Sequence, residues 1–130
     1  MGLDQYGWAC DHPITKDDYK EDTFERDGNF LLRKHAKLHE FMIEIAQKNG
    51  TLRNSEDFNC DPLELSLEDI TDLRTRVKEE NLPESEGGMF WGHQFQDEQV
   101  TYYKDDDVTF CDWAEKQIKK GRHVYYDCWW

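Results

Sequence analysis

Phe30-Leu31-Leu32-Arg33-Lys34-His35-Ala36-Lys37-Leu38-His39-Glu40-Phe41-Met42-Ile43-Glu44-Ile45-Ala46-Gln47-Lys48-Asn49 is the stretch of this 130-residue chain with the clearest single period. Leu31, Leu38, Met42 and Ile45 fall along one line of a helix, with Leu32, Ile43 and Ala46 beside it, at the spacings of an amphipathic face. Gly50 stands where a helix stops. The pattern predicts one helix over residues 30–49. At about 100° per residue its apolar arc covers roughly half the circumference, while Arg33, Lys37, Glu40, Glu44 and Gln47 lie opposite and face water. His35 and His39, one turn apart, share the apolar arc, so both imidazoles are expected to point inward.

Downstream, a polar connection from Thr51 to Asp61 passes Pro62 into Leu63-Glu64-Leu65, a short strand candidate. Ser66-Leu67-Glu68-Asp69 has the form of a capping box, in which the serine hydroxyl and the aspartate carboxylate each take one of the backbone N–H groups a helix start leaves unbonded. A second helix follows, with Leu67, Ile70, Leu73 and Val77 on one face, and stops before Pro83. Met89-Phe90-Trp91, set between Gly88 and Gly92, reads as a small buried strand, and Val100 to Tyr103 as another. Asp105, Asp106 and Asp107 suit the positive end of a helix dipole, and Val108, Cys111 and Ile118 carry that third helix to Lys119, Lys120 and Gly121. His123 to Trp130 is β-prone and should dock into the sheet. Upstream, Leu3 to Ala9 reads as a strand, and the next twenty residues, punctuated by Pro13 and Gly28, as an exposed loop. The expectation is one compact α+β domain over residues 1–130, about three helices packed on a small, mainly antiparallel sheet.

Composition narrows the function. With 29 acidic and 16 basic side chains the formal charge is −13, which repels phosphates and anionic headgroups, so direct nucleic-acid and membrane-surface binding are disfavoured. Five Trp, six Tyr and seven Phe argue against disorder and leave a few large rings to do most of the burying. No run approaches the roughly 20 apolar residues of a membrane span. Met1 to Tyr6 lacks a basic-then-apolar leader. A cytoplasmic setting is therefore expected, with Cys10, Cys60, Cys111 and Cys128 as reduced thiols.

Few residues offer chemistry. Cys10-Asp11-His12 supplies two potential zinc ligands with no second pair at a recognisable spacing. His35-Ala36-Lys37-Leu38-His39 resembles half of a zinc-protease motif but has Ala36 where that motif needs glutamate, so no metal and no cofactor are expected. Three serines, Ser55, Ser66 and Ser85, sit in polar connections or a cap, and no phosphate-cradling glycine loop occurs. Lys34 lies on the rim of the apolar arc. Aromatic rings beside a cation make a recognition surface, so Lys34, His35, His39, Phe90 and Trp91 are the candidate ligand-binding residues.

Met1-Gly2-Leu3-Asp4-Gln5-Tyr6, the Arg33-Lys34 turn with His39 and Phe41, the Gly88-Met89-Phe90-Trp91-Gly92 block, Tyr102-Tyr103 and Tyr126-Asp127-Cys128-Trp129 together resemble a family of small uncharacterised proteins common in tailed-phage genomes. The likeness covers most of the chain. It departs from the family pattern at Leu32, where a tryptophan usually precedes the Arg-Lys pair, and at Cys128, where a small residue is usual. Some relatives carry a phosphoglycerate kinase label, which neither the chain length nor the phosphate-binding motifs support. The resemblance implies phage origin and host cytoplasm, and no reaction. Three functions follow as expectations: a non-enzymatic phage accessory protein binding a host protein or small ligand; an acidic nucleic-acid mimic that occupies a host DNA-binding protein; or a small histidine-dependent hydrolase or transferase.

Overall fold

The computed structural model describes residues 4–14, 25–33, 36–49, 62–83 and 103–129, at 29–33, 36 and 129 for the backbone alone. In chain order the elements are strand β1 (Asp4–Cys10), strand β2 (Asp27–Arg33), helix α1 (Ala36–Lys48), strand β3 (Leu63–Leu65), helix α2 (Leu67–Lys78), helix α3 (Lys104–Lys119) and strand β4 (His123–Trp129). The four strands form one sheet in the order β2-β1-β4-β3, antiparallel throughout, so the first and last strands lie side by side at its centre.

Because side chains alternate along a strand, the register assigns each residue to a face. Gln5, Ala9, Val124, Tyr126, Cys128, Leu63 and Leu65 share the helix-covered face, with Gln5 opposite Cys128, Ala9 opposite Val124 and Leu63 opposite Tyr126. Leu38, Phe41, Met42 and Ile45 of α1, Ile70, Leu73 and Val77 of α2, and Phe110, Cys111 and Ala114 of α3 join them in one contiguous core. Tyr6, Trp8, Cys10 and Tyr125 occupy the outer face, where Ile14 folds back to form a second, smaller apolar cluster.

The helix ends follow local chemistry. Ser66 and Asp69 make the reciprocal capping box: the Asp69 N–H donates to Ser66 Oγ at 3.1 Å and the Ser66 N–H to Asp69 Oδ2 at 2.9 Å. At the far end of α2 the Asn81 N–H reaches the Arg76 carbonyl at 2.8 Å and the Glu80 N–H the Val77 carbonyl at 3.1 Å, closing the last turn with Glu80 at φ 56°. The same closure ends α3, where Arg122 N–H meets the Gln117 carbonyl at 3.1 Å and Gly121 occupies the left-handed position at φ 85°. Arg74 ties α2 to α3 through Asp112 at 3.0 Å and Glu115 at 2.6 Å, and Arg76 ties α2 to α1 through Glu44 at 3.1 Å.

Three sequence expectations are corrected. The helix does not begin at Phe30: residues 27–33 form β2, paired with β1 from Asp4↔Arg33 to Ala9↔Asp27, with a register shift between Gly7 and Trp8. A short apolar run such as Phe30-Leu31-Leu32 satisfies either period, and here a sheet partner more than twenty residues upstream decides it. Arg33 accordingly lies in a strand. Lys37, expected in water, is buried, because the first turns of α1 are enclosed around most of their circumference and a lysine can lay its four-carbon stem along apolar neighbours. Tyr103 is the N-cap residue of α3 rather than a strand residue. The expected strand Met89–Trp91, the connection from Thr51 to Asp61, and Cys60 lie outside the described residues.

Candidate functional site

Of the five candidate ligand-binding residues, only His39 is described; Lys34, His35, Phe90 and Trp91 lie outside the described residues. His39 points inward, as its spacing on the helix predicts, and its side chain is wholly buried. Its Nδ1 lies 3.0 Å from the Tyr126 hydroxyl, and the Gln5 side-chain amide donates to that same hydroxyl at 3.0 Å. The phenolic hydroxyl, which can accept and donate at once, therefore joins the Gln5 amide to the imidazole. Three residues from α1, β1 and β4, up to 121 positions apart, thus form one polar bridge through the core.

Burial drives the titration of this bridge. It pulls His39 down to about 3 and lifts the Tyr126 phenol well above its ordinary range, the nearby carboxyl groups of Asp127 and Asp107 adding to the latter. At neutral pH both groups are uncharged. An imidazole that takes a proton only near pH 3 is a weak base at physiological pH, and with its side chain buried and bonded to Tyr126, His39 links α1 to β4. The buried thiols are similarly quiescent. Burial pushes Cys111 up to about 12 and raises Cys10, whose Sγ donates to the His12 carbonyl at 3.1 Å. Cys10, Cys111 and Cys128 are unbridged.

A second constellation, absent from the sequence reading, stands on the outer face. Strand pairing sets Cys10 opposite His123 and Glu64 opposite Tyr125. Glu64 Oε2 lies 2.7 Å from His123 Nδ1, and Glu64 Oε1 accepts more weakly from the Tyr125 hydroxyl at 3.4 Å. The Tyr125 oxygen also accepts the Ile14 N–H at 2.8 Å, which fastens the segment after β1 over the sheet. Its phenol is pushed up to about 12, chiefly by burial, so it remains protonated. Beneath it the Trp8 and Tyr125 rings stack at 4.7 Å and 18°, and the Arg26 guanidinium lies 5.1 Å from the Trp8 ring centre. Arg122, immediately before β4, holds Asp11 at 2.9 Å and Asp27 at 2.8 Å.

What distinguishes this cluster from the His39 bridge is access. The His123 side chain keeps 28 % of its surface exposed and Glu64 46 %, while the rings that support them are buried. Glu64 fixes the imidazole through Nδ1 and leaves Nε2 as the edge able to meet a partner, and both residues sit on paired strands rather than a loop. The only sequence trace of the arrangement is alternation. In Leu63-Glu64-Leu65 and His123-Val124-Tyr125, residues 64, 123 and 125 fall on the face away from Leu63, Leu65 and Val124. The register that brings Glu64 to His123, 59 positions away, is not written locally.

Among the described residues no group of three or more His, Cys, Asp or Glu side chains is arranged to hold a metal ion. Asp105, Asp106 and Asp107 occupy the first turn of α3, with Asp107 turned into the core. No described helix is long and apolar enough to cross a membrane. Protein-family models, curated proteins and solved structures were all compared with the chain, and none matches it.

Proposed function

We propose that this protein is a non-enzymatic accessory protein of phage origin, acting in the host cytoplasm, and that it binds a host protein through the outer face of its sheet around Glu64 and His123. The observation that carries this reading is the contrast in access between the two polar clusters. His39, Tyr126 and Cys111 are sealed and held in uncharged forms, whereas Glu64 and His123 are reachable, hydrogen-bonded to each other at 2.7 Å and braced by stacked rings. Groups fixed in advance lose little freedom when a partner docks, which favours recognition. The charge of −13 draws a partner with a basic surface, accelerates its approach at low salt and repels nucleic acid.

The test is a pull-down from host lysate with the immobilised wild-type chain and a Glu64→Gln/His123→Ala double variant, both first checked for equal thermal stability. The reading expects at least one partner captured by the wild type and lost with the variant, its retention weakening as salt rises. If the variant keeps every wild-type partner, the outer face is not the docking surface. Competition with duplex DNA separates the mimicry reading, since a mimic's partner would be released by DNA and an unrelated partner would not.

A further inference from the structure

We draw no further inference here: the strongest candidate, the Cys10–Glu64–His123–Tyr125 cluster on the outer face of the sheet, belongs to the site already described, and nothing in the structure shows a metal, substrate or second chain that it would hold.

Discussion

Lowering the pH from 7.5 to 5 should protonate His39 in the unfolded chain while leaving it neutral in the folded one. Its ordinary value is 6.5, and burial against Tyr126 and the surrounding core brings it to about 3. Above pH 6.5 neither state carries the extra proton, so His39 adds no pH dependence there. As the pH falls below 6.5 the unfolded state gains a proton that the folded state refuses, and stability drops until the folded pKa is reached. At pH 5 the unfolded imidazole is almost fully charged, which costs the folded state about 2 kcal/mol relative to pH 7.5. That is a large share of the roughly 5–15 kcal/mol typical of a folded domain. Urea unfolding followed by tryptophan fluorescence at several pH values measures it. A His39→Asn variant supplies the reference, because carboxylates that titrate in the same window contribute equally to both proteins. The wild type should lose about 2 kcal/mol more than His39→Asn across the interval. Parallel pH profiles for the two proteins would refute the buried, neutral imidazole and the Gln5–Tyr126–His39 bridge with it.

Other outcomes follow from single features of the fold. Glu80 holds a left-handed backbone that favours glycine, so Glu80→Gly should raise stability by about 0.5–1 kcal/mol in thermal scans, while Gly121→Ala, at the equivalent position after α3, should lower it by about 1 kcal/mol. Ser66→Ala removes the hydroxyl that accepts from Asp69 N–H and should cost about 1 kcal/mol by urea titration; a change below 0.3 kcal/mol would mean the capping box contributes nothing. Cys10, Cys111 and Cys128 should resist iodoacetamide at pH 8 in the folded protein and react on denaturation, read by peptide mass mapping. Rapid labelling of Cys111 in the native state would contradict its buried, protonated thiol.

Features governed by nearest neighbours in the chain were legible in the sequence. The Ser66–Asp69 cap, the stop of α2 before Pro83, the acidic first turn of α3 and its Gly121 end are each decided within a few residues, and the inward turn of His39 follows from spacing alone. Where two solutions fit the same residues, tertiary pairing chose. Phe30-Leu31-Leu32 became strand because β1 offered a partner, and Lys37 is buried although the wheel sets it on the polar side. The helical wheel describes one face of one element and has no knowledge of what covers the other. The same limit concealed the outer face. His123 and Glu64 are ordinary members of two β-prone stretches until the sheet order sets β3 beside β4. The spacing also gives His39, the described member of the expected ligand-binding set, its inward direction, while its hydrogen bond to Tyr126, 87 positions away, has no local signal.

The most direct test of the functional claim is the dissociation constant of a purified partner, measured by calorimetry against the wild type and Glu64→Gln/His123→Ala. Binding through a central, desolvated contact at these two side chains predicts at least about tenfold weaker affinity in the variant, equivalent to about 1.4 kcal/mol. Affinities within twofold of each other, with both proteins folded, would place the partner elsewhere and contradict the account.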